Sequence, residues 1–427
     1  MKLWDKGIKI DKKIEQFTVG NDREIDMHIA KYDVNASIAH AKMLFSIGII
    51  TATEFQQLEK GLSILEKQIQ EGTFVIETQF EDVHSKIEFE LTNMFGEVGK
   101  KIHTARSRND QVLVALQLYY KDQLQTIKGL VGTFFDTLLN LAELHKKCLL
   151  PGYTHLQVAM PSSFGLWFSS YAEVIVDDVY LLDAAIKTID QNPLGSAAGY
   201  GSSFPIDRKF TTKELGFGAL KYNVIAAQMG RGKNERTIAA ALGGIANTLS
   251  RFSMDICLYM SQNFDFIGVP EDLTTGSSIM PHKKNPDLFE LVRGKCNTLQ
   301  ALPNQLALLT TNLPSGYHRE LQLAKGPMID AVQELKACLD ILLFSLPQLR
   351  VTQNSTDQKK YDYLFSVDTL NAEVIAGKPF RDAYLEIGEA IENGSYIPNR
   401  ALNHTHLGSI GNLGLEVIRA KMKPLRE

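Results

Sequence analysis

The sequence predicts an all-α protein built on a central bundle of five long helices. Three observations predict it. Apolar residues recur at heptad spacing through residues 106–350, no stretch there alternates as a strand would, and the breaks between periodic stretches are rich in Gly, Pro and polar residues. At 427 residues the chain is long enough for more than one domain. The composition divides into a mostly helical N-terminal domain (1–105), the long-helix bundle (106–350) and a small helical C-terminal domain (351–427).

In the first part, Ala36–Ile50 and Thr53–Glu71 carry helical patterns, with Thr53 as the expected cap. Glu81-Asp82-Val83-His84 reads as a helix start with acidic first-turn residues, and His84 as a candidate ligand contact.

The bundle follows. Leu113, Tyr120, Ile127, Phe134 and Leu141 mark the first helix, with Leu124, Val131 and Leu138 widening its stripe. Phe168, Ile175, Leu182 and Ile189 mark the second; Ile238, Ile245, Phe252 and Tyr259 mark the third. Leu288, Val292, Leu299, Leu302, Leu306, Leu309 and Leu313 mark the fourth, which Pro303 should kink. Met328, Val332, Leu335, Leu339, Leu342 and Leu346 mark the fifth. Sustained spacings of three and four mean helices packed nearly parallel. The first, near Asp110–Lys146, would run on the order of 50 Å. These apolar arcs are too wide for one five-helix layer, so burial against other subunits is expected. Beyond the bundle, Pro379–Asn393 looks helical, and Gly394, Pro398, Gly408, Gly411 and Gly414 punctuate the rest.

Bulk properties exclude several classes. The net charge of −4, from 45 basic and 49 acidic residues, draws the chain to neither nucleic acid nor membrane. Met1–Asp5 has no export signal, no apolar run is long enough to span a bilayer, and the four cysteines form no CxxC pair. A soluble cytoplasmic protein is expected.

Polar stretches flank the helices: His103–Asp110, Gly152–Gln157, Asn192–Asp207, Gly276–Pro286 and Leu313–Gln322. Gly276–Pro286 is the richest. Its Gly and Pro argue for a loop, and Asn285-Pro286 looks like a cap followed by Pro at the first helical position. Lys283, Lys284 and the helix N-terminus favour an anion. If successive helices run antiparallel, the His155 and Ser277 stretches lie at one end of the bundle. The Arg106–Asp110 and Tyr317 stretches lie at the other, so a neighbouring subunit must bring the halves together.

Ser277 lacks the G-x-S-x-G elbow of a hydrolase, but cations nearby would make it a base. His155, expected at a helix entrance, is a candidate acid or base. Arg108 offers a carboxylate fork, and Asn109 is either a helix cap or a contact. His404-Thr405-His406 lacks a matching carboxylate or Cys motif for a metal; Gly195–Gly201 follows no predicted strand, and no phosphate-binding G-x-x-x-x-G-K-[ST] occurs. Cofactor-free acid–base chemistry on a small polyanion remains.

Gly276–Pro286 resembles the GSSxMPxKxNP loop of the fumarase/aspartase superfamily. HTARSRNDQ, GYTHLQ, NPLGS and LPSGYHRELQ resemble its argininosuccinate lyase branch. The similarity runs from Asp33–His40 into the C-terminal domain. It implies a three-domain α fold, a homotetramer around a core of about twenty helices, and active sites shared between subunits. It implies reversible elimination of argininosuccinate to arginine and fumarate through an aci-carboxylate carbanion, with no metal or organic cofactor. By the resemblance Ser277 is the base and His155 the acid or its relay, the reverse assignment also being used for the family. Lys283 and Asn285 would hold the carbanion's carboxylate. Thr154, Asn109, Tyr317, Gln322 and Lys325 would contact substrate, supported by Arg108 and His84.

The chain departs from the family pattern in places. Asp5-Lys6-Gly7-Ile8 replaces Gly-Gly-Arg-Phe, Ala105 replaces a Gly, Met160 replaces a Gln, His282 stands where Gln is frequent, and Leu323-Ala324 replaces an acidic pair. These leave room for an N-acylated substrate. The rival readings are a sister lyase acting on adenylosuccinate, aspartate or malate, and a non-catalytic structural protein of the lens-crystallin kind.

Overall fold

A computed structural model describes residues 11–426. The Asp5-Lys6-Gly7-Ile8 departure and the Met1–Asp5 stretch lie outside them. Helices dominate, as the periodicity predicts. Two compact units result, each drawn from three chain segments.

Unit one takes its described residues from 11–127, Leu181–Gly243 and Leu299–Leu335. Its N-terminal part packs the helices Ala30–Ser46 and Ala52–Gln70 side by side, with Val83–Phe95 against the latter. Val34, Leu44, Leu58, Leu62, Ile87 and Leu91 are buried there. Burial of such a side chain stabilises by roughly 1.5–3 kcal/mol. Thr51, not Thr53, caps the second helix: its hydroxyl accepts from the Glu54 amide while Glu54 reaches back to the Thr51 amide. The cap falls where the Thr-x-x-Glu spacing allows reciprocal bonds.

Unit two comprises Lys128–Tyr180, Gly244–Thr298 and the described residues from Lys336 to 426. Its core centres on Trp167, in ring contact with Phe168, Tyr171, Phe252 and Tyr259. Asp255 accepts from the indole N–H at 3.0 Å and from the Tyr171 hydroxyl at 2.7 Å, so these two donors are paired.

Most of the heptad positions are core positions, Tyr259, Leu288, Leu309 and Leu313 being half-buried. Leu113, Tyr120, Leu124, Ile127, Val131, Phe134, Leu138 and Leu141 are all buried along Arg108–Leu144. So are Phe168, Ile175, Leu182 and Ile189 along Phe164–Ile189, and the marked residues of Lys325–Ser345. Two of the five expected helices are not continuous. Val224–Tyr259 is interrupted at Arg231 (φ −64°, ψ 136°) and Gly232 (φ 79°, ψ −45°). Gly is required at 232, because a Cβ there would sit 2.4 Å from Thr310 Cγ2. The fourth stretch is two helices, Asp287–Leu299 and Leu302–Leu309, where a single kinked one was expected. Pro303 opens the second, having no N–H to continue the first.

A further correction concerns the approach to the second long helix. Leu149–Thr154 and Gln157–Ser163 form an antiparallel hairpin. Pro151 faces Pro161, which a two-stranded ladder tolerates because each strand has an open edge. The register slips between Pro151 and Tyr153, and Gly152 permits it: a Cβ there would lie 2.6 Å from the Met160 carbonyl oxygen. No apolar–polar alternation announces these strands, since their pairing, not their pattern, defines them.

Near the end of the chain, Phe380–Glu392 forms the helix expected over Pro379–Asn393. Among the described residues no helix is long and apolar enough to cross a membrane.

Candidate active site

Helix Arg108–Leu144 opens on a reciprocal cap. Ser107 Oγ accepts from the Asn109 amide at 3.2 Å, and Asp110 Oδ1 accepts from the Ser107 amide at 2.9 Å. Ser107 is thus the cap, and the Asn109 side chain is left to line a cavity. The other oxygen of Asp110 accepts from the Gly195 and Ala197 amides at 3.1 and 3.0 Å. The wholly buried Asp110 therefore ties the helix start to the Gly-rich 193–201 stretch.

The cavity is in unit one and measures about 140 Å³. His84, Arg108, Asn109, Tyr317, Gln322 and Lys325 all line it, the six unit-one residues expected from sequence. Asp22, Asp26, Asp82, Arg231 and Arg319 also line it.

Most of these charges are already paired. Arg108 spans Glu81 at 2.8 Å and the Asp82 carboxylate. Asp82 also caps helix Val83–Phe95, taking the Ser85 amide at 2.8 Å, so the acidic cluster serves as a helix start and a wall at once. Burial works to raise the Asp82 carboxyl, but His84, Arg108 and Ser85 outweigh it and hold it below the usual range. His84 Nδ1 lies 3.0 Å from Asp33 Oδ1, both buried. Burial opposes the imidazolium, yet Asp33, Asp82 and Asp26 together raise its pKa. Lys325 Nζ sits 2.7 Å from Asp26 Oδ1 and 3.0 Å from Asp22 Oδ2. The two carboxylates overcome its desolvation and raise its pKa. Gln322 Nε2 donates to the Thr18 carbonyl at 3.1 Å. Arg106, in the same polar stretch as Arg108, does not line the cavity: it is buried against Ser37 Oγ at 3.0 Å and near Asp33.

Behind this wall, burial lifts Glu88 to about 7; Arg106 opposes the shift and Asp82 adds to it. A carboxyl raised above its unfolded value contributes stability that is complete below about pH 4.5 and lost as pH rises through about 7. Glu88→Gln should therefore abolish the decline in melting temperature between pH 4.5 and 7 that is due to this group. Melting curves of both proteins over that range check it, and parallel wild-type and variant profiles would refute the assignment.

The remaining candidates belong to unit two. Thr154 and Gln157 close the hairpin, and His155 (φ 54°) and Leu156 (φ 59°) form its two-residue turn. Two left-handed central residues are the turn that suits strand twist, usually built from Asn-Gly. Here both carry side chains, at a cost of about 1–2 kcal/mol each. His155 is exposed at this strained tip, not at the helix entrance expected from sequence.

Gly276–Pro286 is an irregular loop pinched at its base, where the Asn285 amide donates to the Thr275 carbonyl at 2.9 Å. Inside it Ser277 Oγ accepts from the Ile279 and Met280 amides at 3.3 and 3.1 Å. Lys284 pairs with Glu271 at 2.5 Å, whereas Lys283 is exposed, with no ion pair among the described residues. The following helix begins one residue later than expected. The Pro286 carbonyl accepts its first bond, from the Glu290 amide at 3.1 Å, and Asn285 belongs to the pinch.

Comparison with known proteins decides the family. The Lyase family model matches residues 6–300. An argininosuccinate lyase of Parabacteroides distasonis is 54% identical over 99% of this chain and 95% of its own length. That of Bacteroides thetaiotaomicron is 52% identical over the same shares. The chain belongs to the argininosuccinate lyase family. Among solved structures, an EDDS lyase variant with bound fumarate superposes with a TM-score of 0.75 at 21% identity, covering 98% of this chain and 81% of that one. The fold is the fumarase/aspartase type.

Within this argininosuccinate lyase family member, sequence reasoning missed Asp22, Asp26 and Arg231 as cavity residues. Asp22 and Asp26 stand one turn apart on the short helix Asp22–Asp26, a pattern indistinguishable from a solvated face. Arg231-Gly232 lies before the periodic part of its helix, and only the Gly hints at a break. Ala105, where the family usually has Gly, takes φ 62° and so carries about 1–2 kcal/mol of backbone strain. Among the described residues no group of three or more His, Cys, Asp or Glu is placed to hold a metal; His404 pairs instead with Asp368 at 2.6 Å.

Proposed function

We infer that this protein catalyses the reversible elimination of argininosuccinate to L-arginine and fumarate. The 54% identity over nearly the whole chain to an argininosuccinate lyase carries the reading. Incubation of the purified protein with argininosuccinate should produce the ultraviolet absorbance of fumarate. No signal, alongside turnover of adenylosuccinate, aspartate or malate, would replace this substrate with a sister one.

In the mechanism we propose, Ser277 removes a proton from the succinyl carbon beside a carboxylate. The two amides that donate to its Oγ favour the charged form of that oxygen. Negative charge spreads into the neighbouring carboxylate, where Lys283 and Asn285 stabilise it. The C–N bond then breaks, and His155, directly or as a relay, protonates the departing guanidino nitrogen. Asn109, Thr154, Tyr317, Gln322 and Lys325 hold the substrate. Arg108 and His84 support them through their pairs with Glu81, Asp82 and Asp33.

Copies of the chain assemble as a homotetramer whose active sites are shared between subunits. Apolar side chains left exposed on the long helices favour this, among them Val174, Tyr180, Leu181 and Phe344. Mixing a Ser277→Ala protein with an Asn109→Ala protein under subunit exchange should restore part of the lost activity. Demonstrated exchange without recovery would count against shared sites. The division into 1–105, 106–350 and 351–427 goes with this assembly, and its boundaries are open to limited proteolysis. A cytoplasmic location suits four free cysteines.

A further inference from the structure

Unit one holds a second cavity, of about 220 Å³, which shares Arg231 with the first and no other lining residue. Three carboxylates line the first cavity; among the described residues none lines the second. Its charge comes from Arg231, Lys233 and Arg236. Glu235, 2.8 Å from Nε, balances Arg231. Lys233 and Arg236 stand three residues apart on one helix, both exposed, with no ion pair among the described residues. Like charges so placed repel, and two positive charges are left unbalanced on the cavity wall. Two buried polar atoms are unmatched as well. Arg231 is 5% exposed and donates from Nη2 to the Leu321 carbonyl at 3.0 Å, yet its Nη1 has no acceptor. Gln228 also lines the cavity and is fully buried. Its Nε2 donates to Ser196 Oγ at 3.0 Å and to the Ala197 carbonyl at 3.1 Å, which fixes the amide's orientation and leaves Oε1 without a donor. A buried polar group left unmatched is costly, and a ligand that supplies its partner removes the penalty.

We propose that this second cavity binds a phosphoryl group, as free phosphate or as a hydroxyl-bearing phosphate monoester, at a site separate from the candidate active site. A phosphate near its full charge matches the unbalanced Lys233 and Arg236, and its oxygens give Arg231 Nη1 an acceptor. Gln228 Oε1 calls for a donor. The P–OH that phosphate keeps on part of its molecules near neutral pH supplies one, as does a hydroxyl on the organic part of an ester. A dicarboxylate such as fumarate brings the charge but no proton at that pH, so it leaves the Gln228 oxygen unmatched. Sulfate fails in the same way. The site stands on its own lining residues and does not depend on the elimination reaction.

Calorimetric titration of the intact protein with inorganic phosphate at about pH 6.5 tests this, with an excess of fumarate present to occupy any carboxylate site of the reaction. Phosphate should still bind, with a dissociation constant of about a millimolar or tighter. Sulfate should bind roughly fivefold more weakly, the effect of one hydrogen bond left unmade. A Lys233→Ala/Arg236→Ala double variant changes two exposed side chains, so it should fold as the wild type does and bind phosphate about tenfold or more weakly. Lys283→Ala should leave phosphate binding unchanged. Displacement of phosphate by fumarate, sulfate binding as tight as phosphate, or undiminished binding by the folded double variant would each overturn the proposal. Should the double variant fail to fold, the single variants Lys233→Ala and Arg236→Ala carry the decision. Titration with ribose 5-phosphate separates the two sources. Tighter binding than phosphate identifies an ester as the ligand, equal or weaker binding identifies free phosphate, and both keep the site.

Discussion

Ser277→Ala is expected to lower fumarate release by about a thousandfold or more, with the melting temperature and oligomeric state unchanged. The two effects separate because the hydroxyl does little for the fold. Its local partners are the Ile279 and Met280 amides, in a loop whose base is held by the Thr275–Asn285 bridge instead. Both amides lie on an exposed stretch where water replaces the lost acceptor. Chemically the loss is severe, since no proton leaves the succinyl carbon without a base. Steady-state rates with argininosuccinate, paired with thermal melts, provide the check. A variant with near-normal rate would transfer the role of base to His155.

Asp110→Ala should destabilise unit one by roughly 3–5 kcal/mol. The buried carboxylate takes three backbone amides, from Ser107, Gly195 and Ala197. Removing it orphans all three, the Gly195 and Ala197 amides in buried positions, and leaves the buried Arg106 short of a counter-charge. Burial pushes the Asp110 carboxyl above its usual range even so, with Ser107, Arg106 and the loop amides opposing, so acceptor geometry matters more here than charge. Asp110→Asn keeps one acceptor and should lose about half as much. Denaturant melts of both variants measure the difference. An Asp110→Ala protein as stable as wild type would show that the 193–201 stretch is held by other means. Activity should fall as well, because this carboxylate fixes the helix start from which Arg108 and Asn109 reach the cavity.

Much of the candidate-site inventory was legible because the groups lie in short, dense stretches. Arg108 and Asn109, Tyr317 and Gln322, and Ser277 through Asn285 sit where helical periodicity stops, and polar residues in such breaks are visible without coordinates. What each group does locally was less legible. Asn109 was as credible a cap as Ser107 until the Ser107–Asp110 bonds chose between them. His155 seemed to begin a helix, but strand pairing puts it at the tip of a hairpin.

Helix positions followed from spacing, since a period near 3.6 is a property of neighbours along the chain and survives in almost any packing. The buried heptads of Arg108–Leu144 and Phe164–Ile189 are of that kind. Convergence is different in nature. Lys325 meets Asp22 and Asp26 across some three hundred residues, and Arg231 is turned by a break that a positive-φ glycine beside Thr310 makes possible. No local pattern encodes which distant carboxylate will neutralise which lysine, because that pairing is selected by burial, where an unmatched charge costs several kcal/mol. The sequence was therefore enough for the fold class and the family, and the packing decided which distant carboxylates meet Lys325 in the cavity.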